Sequence, residues 1–125
     1  MTKIDAVFEI NQIVGLATTD TPLLLKQIYP ASSSFEVGVG EIKVLKSHRE
    51  VVLKIKEISQ GVVVKIAILR NGVFFEEINL SNDSDVKLVI PVEKDDQLFF
   101  AYTHPVLAEN ARINFKLSLR KMSRC

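Results

Sequence analysis

An all-β, antiparallel fold is predicted by three stretches of strict alternation. These are Val51-Leu53-Ile55 set against Lys54 and Lys56, Val86-Leu88-Ile90-Val92, and Ile113-Phe115-Leu117-Leu119 interleaved with Asn114, Lys116, Ser118 and Arg120. Each puts apolar side chains on one side and mostly polar or small ones on the other, the period-2 signature of a half-buried strand. They lie far apart in the chain, so one antiparallel architecture runs through most of it. Turn signals recur every eight to twelve residues or so and no strand–helix alternation appears, which predicts a sandwich of about eight to ten short strands, jelly-roll-like, ahead of a closed barrel.

The elements follow in order. Ile4-Ala6-Phe8-Ile10 alternates with Asp5 and Glu9 and reads as a strand, and Ile13 to Thr18 reads as a second one containing Gly15. Asp20-Thr21-Pro22 has the chemistry of a helix start, an aspartate cap with proline in the first turn. Leu23 to Ile28 is then either a short helix or a strand or extended crossover, and Ala31-Ser32-Ser33-Ser34 is a loop. Phe35-Val37-Val39 occupies odd positions while Ile42 and Val44 occupy even ones. A parity change moves every later side chain to the other face, so a bulge or a break into two strands is expected at Gly38 and Gly40.

Ser47 to Glu50 is a turn, Val51 to Ile58 a strand, and Ser59-Gln60-Gly61 a tight turn. Val62 to Leu80 is a hairpin about Arg70-Asn71-Gly72. A two-residue Asn-Gly loop sets Val64, Ile66 and Ile68 against Asn79, Glu77 and Phe75. A three-residue loop pairs Leu69 with Val73 and collects more apolar pairs on one face, so it is the register expected, with Gly72 at positive φ. Pro91 removes a ladder donor from the strand Val86 to Val92, which must face an unpaired edge or a bend there. Glu93 to Asp96 is a turn. Leu98 to Tyr102, apolar on both faces, is the expected central, covered strand, and Ile113 to Met122 closes the chain.

At 125 residues and 14.0 kDa the chain is expected to form one domain, residues 1–125. Sixteen basic against fifteen acidic residues leave a net charge of +1, without the basic excess a nucleic-acid binder needs to neutralise phosphates. The basic C-terminal stretch Lys116, Arg120, Lys121, Arg124 reads as a solvated edge. The mean hydropathy of +0.19 fits either strand-rich composition or apolar surface buried against other chains. No apolar run approaches the roughly 18 residues of a membrane span, so no membrane partner is expected. Cys125 is the sole cysteine and no secretory signal is visible, which implies synthesis in a reducing intracellular compartment.

Residues capable of chemistry are sparse. His48 and His104 stand beside turn formers without the further ligands, closely spaced, that zinc requires, and no G-x-S-x-G marks a nucleophile. Cys125 is terminal. No catalytic, cofactor or metal residue is therefore expected, and His48→Ala, His104→Ala and Cys125→Ser should leave function and stability nearly unchanged. The turns Asn82 to Asp85 and Glu93 to Asp96 read as solvated. Stacking platforms for a sugar are few, with no tryptophan and two tyrosines, Tyr29 and Tyr102. Phe75, Phe99 and Tyr102 are the aromatics able to face outward.

The stretch Val86-Lys-Leu-Val-Ile-Pro-Val-Glu-Lys-Asp-Asp-Gln-Leu-Phe-Phe100 resembles a strand–turn–strand common in jelly-roll proteins. It occurs in tumour-necrosis-factor-like domains, sandwich carbohydrate-binding modules and head-fibre or decoration proteins of tailed bacteriophages. Asp95 stands where those families commonly have glycine. The resemblance implies a homo-oligomeric, non-catalytic sandwich, with a trimer as the first expectation, acting in a virion as a capsid decoration, head-fibre or minor structural subunit. Its partners would be copies of itself and other capsid proteins, and its location the virion after synthesis in a host cytoplasm. A carbohydrate-binding module, with a glycan as ligand, is the alternative.

Overall fold

The computed structural model describes residues 4–27, 35–82, 87–105 and 111–121. Eleven strands and no helix occupy them: β1 (Ile4–Val14), β2 (Ala17–Pro22), β3 (Lys26–Gln27), β4 (Phe35–Gly38), β5 (Glu41–Val44), β6 (Arg49–Ile58), β7 (Val63–Arg70), β8 (Val73–Leu80), β9 (Lys87–Val92), β10 (Gln97–His104) and β11 (Ala111–Lys121). They build two antiparallel sheets, ordered β3-β1-β11-β6-β9 and β4-β5-β10-β7-β8, with β2 paired to β10 beyond β5. From β5 to β11 the chain repeatedly crosses between the sheets, and its first long strand pairs with its last. This is a jelly-roll sandwich.

The alternation foreseen in β11 is complete: Ile113, Phe115, Leu117 and Leu119 are buried while Arg112, Lys116 and Arg120 face away. One core cluster joins these to Phe8, Ile10, Val51 and Leu53 of the same sheet and to Ile42, Val64, Ile66, Leu98 and Phe100 of the other. Phe8 and Phe35 meet edge to face across the core, ring centroids 5.4 Å apart, the arrangement that aromatic quadrupoles favour. Pro91 does lie on an edge strand, opposite Glu50.

Several expectations are corrected. Asp20-Thr21-Pro22 starts no helix. It is the end of β2, with Thr21 and Pro22 opposite Tyr102 and Ala101, and the chain continues extended as Leu23 N–H donates to the Phe100 carbonyl at 2.9 Å. Two turns of helix are marginal in water, and the β10 ladder offers more. This segment contributes β2 and the two-residue β3, which takes the strand count past ten. The parity change after Val39 is a break between β4 and β5. Gly40 is required there, because φ is +65° and a Cβ would stand 2.9 Å from the Pro22 Cβ. β10 is central, but among the described residues no third layer covers it: Phe99, Ala101 and Thr103 on its outer face are half-buried.

The β7–β8 hairpin adopts neither uniform register. Asn71 and Gly72 both have positive φ, 56° and 76°, as a two-residue type I′ turn demands, and Arg70 pairs with Val73. A bulge then leaves Phe75 as an extra residue, so that Ile66 meets Ile78 and Val64 meets Leu80. The turn and the apolar pairing are thus satisfied separately. A Cβ on Gly72 would meet nothing within 4 Å, which isolates the backbone effect. Gly72→Val is therefore expected to cost roughly 1–3 kcal/mol through φ alone, read as a lower urea midpoint. An unchanged midpoint would contradict the turn.

Candidate functional site

β8 is exposed along nearly its whole length, on both faces. Its first three residues are large and apolar and stand in solvent: Val73 at 67%, Phe74 at 62% and Phe75 at 52% exposure. Glu76 and Glu77 follow directly and are also exposed. The strand is anchored at its turn end and at Glu77. Arg70 donates from Nε and Nη2 to the two Asp96 carboxylate oxygens at 3.0 and 2.9 Å, and its guanidinium lies 3.9 Å from the Phe75 ring centroid. Asp96 is fully buried and also accepts the Glu93 N–H at 2.8 Å. Those Asp96 hydrogen bonds hold the Arg70 guanidinium still further above its ordinary range. Lys65 of β7 bridges Asp20 and Glu77 at 3.2 and 3.3 Å, which raises its pKa.

The outer face of the five-stranded sheet has a different character. Reading across strands by register, Lys116 stands opposite Lys54, and Lys54 opposite Lys87, all three exposed. Glu9 and Lys26 extend the row on the other side of Lys116. Neighbouring strands are about 4.8 Å apart, and like charges directly opposite one another are destabilising. The adjacent row runs Val7, Ser118, Val52, Val89. Val52 is only 3% exposed, while Val89 at 43% is open. Beyond it Arg120 donates to Glu50 at 2.7 Å.

Two hollows complete the candidates. One, of about 380 Å³, caps an end of the sandwich and is lined by Leu45 to Arg49, Lys94 and Lys121. The other, of about 240 Å³, lies on the outer face of the second sheet. Phe99, Ala101 and Ala67 line it beside Asp20, Lys65, Pro22 and Val39.

Of the residues singled out from sequence, His48 does lie in an exposed turn, and its φ of 56° is left-handed. Cys125, Arg124, Tyr29 and Asp83 to Asp85 lie outside the described residues. His104 is no loop residue: it ends β10 at 2% exposure, Nδ1 3.3 Å from the Gly15 carbonyl oxygen. That oxygen can only accept, so the ring carries its proton on Nδ1. Removing a buried, hydrogen-bonded ring is expected to cost roughly 1–3 kcal/mol, not the small change of a surface site. Chemical denaturation of His104→Ala would show it, and a shift below about 0.5 kcal/mol would contradict the burial.

Asp96 corrects the solvated-turn reading in the same way, and Tyr102 points inward at 8% exposure. Phe75 and Phe99 do face outward. Among the described residues no three His, Cys, Asp or Glu side chains converge to hold a metal ion, and no helix is long and apolar enough to cross a membrane. The Arg70–Asp96 pair, the lysine row and the end hollow escaped sequence reasoning. Only register brings their members together.

The sequence matches no protein-family model and no curated protein. Solved structures share its fold. Murine APRIL superposes with a TM-score of 0.58 at 10% identity, covering 94% of this chain and 98% of that one. PRD1 vertex protein P5 gives 0.54 at 10% identity, with 97% and 99% covered. The globular domain of zebrafish complement 1qA protein gives 0.54 at 12% identity, with the same coverage. At such identities the likeness is one of fold, and it bears out the jelly-roll resemblance read from residues 86–100.

Proposed function

We propose that this chain is a non-catalytic, single-domain assembly subunit that binds copies of itself, and that it serves in a virion as a decoration, head-fibre or minor structural protein. One observation carries the reading: an edge strand that holds Val73, Phe74 and Phe75 in solvent. Isolated exposed hydrophobics need no explanation, but three in succession on an anchored edge mark a contact surface. The fold likeness to a phage vertex protein supports the virion role. Other capsid proteins are the further partners, and the trimer remains the expected copy number by resemblance to tumour-necrosis-factor-like domains.

The counterpart surface is the outer face of the five-stranded sheet. Its open Val89 matches the apolar half of β8, and its lysine row matches Glu76 and Glu77. Sedimentation velocity at micromolar concentration tests the reading: a discrete multimer is expected, and a 14.0 kDa monomer would remove its basis. The 240 Å³ hollow floored by Phe99 favours the second reading, a carbohydrate-binding module. Saturation by a neutral glycan, lost in Phe99→Ala, would establish that instead.

A further inference from the structure

The end hollow gathers cationic side chains, and one imidazole, from three separate parts of the chain. Lys46, His48 and Arg49 come from the turn into β6, Lys94 from the turn between β9 and β10, and Lys121 from the end of β11. Among the described residues no carboxylate lines it. Glu93 and Asp95 flank Lys94 in sequence but stand outside the lining. Glu50, next to Arg49, is turned to the opposite face of its strand and engaged by Arg120. Arg49 and Lys121 are direct register partners across β6 and β11, on the side of the sheet that faces the core one step further in, at Val51 and Leu119. Arg49 is steadied from below, donating from Nη1 to the Ser47 carbonyl at 2.9 Å.

His48 adopts a left-handed conformation that a glycine would take without strain. Backbone strain that persists in a fold points toward function when it borders a site, and His48 borders this one. The positive charge of Lys46, Lys94 and Lys121 is local, since the whole chain carries only +1. An anion seated here would meet that charge.

We propose that the end hollow binds a tetrahedral oxyanion group, phosphate or sulfate, carried on a small molecule or at the end of a carbohydrate chain. Lys94 and Lys121 supply charge-assisted hydrogen bonds from two sides. Lys46 and His48 close the third, and the rest of the ligand extends into solvent through the open mouth. This inference does not depend on self-association.

Calorimetric titration of the intact chain with inorganic phosphate, inorganic sulfate, glucose 6-phosphate and a sulfated disaccharide tests it. The esters separate the two sources. Binding of at least one probe is expected, weakened about ten-fold or more in Lys94→Ala/Lys121→Ala. Lys56→Ala/Arg112→Ala, at the opposite ends of β6 and β11 from the hollow, should keep the affinity within about two-fold, because exposed charges beyond a Debye length are screened. His48→Gly is expected to raise the melting temperature while weakening binding. The proposal falls if no probe binds, if the Lys56/Arg112 variant loses as much as the hollow variant, or if His48→Gly binds as tightly as the parent.

Discussion

Lys54→Glu is expected to dissolve the assembly while making the folded subunit more stable. Lys54 sits between Lys116 and Lys87 on neighbouring strands, so a glutamate there converts two like-charge contacts into two opposite-charge ones, each worth roughly 0.2–1 kcal/mol. The melting temperature should rise by a few degrees. At the interface the same change sets a carboxylate against Glu76 and Glu77 of the neighbouring copy, and like-charge juxtaposition there weakens association about a hundred-fold or more. The opposite signs matter. A variant that merely unfolds cannot gain stability, so loss of the multimer alongside a higher melting temperature isolates the interface. Glu76→Lys should weaken assembly by the same logic, and combining it with Lys54→Glu on one chain should recover most of it. A Lys54→Glu protein that sediments like the parent would remove the five-stranded face as the counterpart of β8.

Asp96→Ala is expected to cost the fold roughly 2–3 kcal/mol, because it leaves the buried Glu93 N–H without an acceptor and the Arg70 fork without its partner. Asp96 accepts two hydrogen bonds from Arg70 and one from the Glu93 N–H, so the 93–96 turn and the β7–β8 hairpin loosen together. Arg70→Met/Asp96→Leu, which removes both charges and keeps apolar volume, should recover much of the loss, since replacing a buried pair by packed hydrophobes is often neutral or stabilising. Guanidinium denaturation of the three proteins decides it. A loss below about 1 kcal/mol in Asp96→Ala would mean that the pair contributes no more than a surface ion pair.

What the sequence made legible was whatever depends on a residue's own neighbours along the chain. The alternation at Ile113 to Leu119 specified β11 and its buried face because a period of two holds for any strand with one wet side. Pro91 announced an edge because a missing donor is intolerable elsewhere. The hairpin register was not legible because no single offset holds along it: the Phe75 bulge lets the turn and the pairing be satisfied independently. Asp96 and His104 were read as surface residues because polar chemistry in a turn-like setting usually is. Their burial depends on Arg70, 26 positions away, and on the Gly15 carbonyl, 89 positions away. The lysine row is the plainest case: Lys54, Lys87 and Lys116 are unremarkable singly and become a feature only when β9, β6 and β11 are laid side by side.

The pairing of β1 with β11 has a consequence for how the chain is made. Every rung of that ladder, from Ile4 with Arg120 to Val14 with Ala111, joins residues roughly a hundred positions apart. During synthesis β1 emerges before β11, with its apolar side at Phe8 and Ile10, and its other neighbour among the described residues is the two-residue β3. It must wait for nearly all of this span to leave the ribosome before its main partner exists. Contacts of such separation place folding toward the slow end for domains of this size, milliseconds to seconds, and leave a hydrophobic strand unpaired in the interval. Until β11 is complete, the apolar side of β1 stays open to contact with other chains.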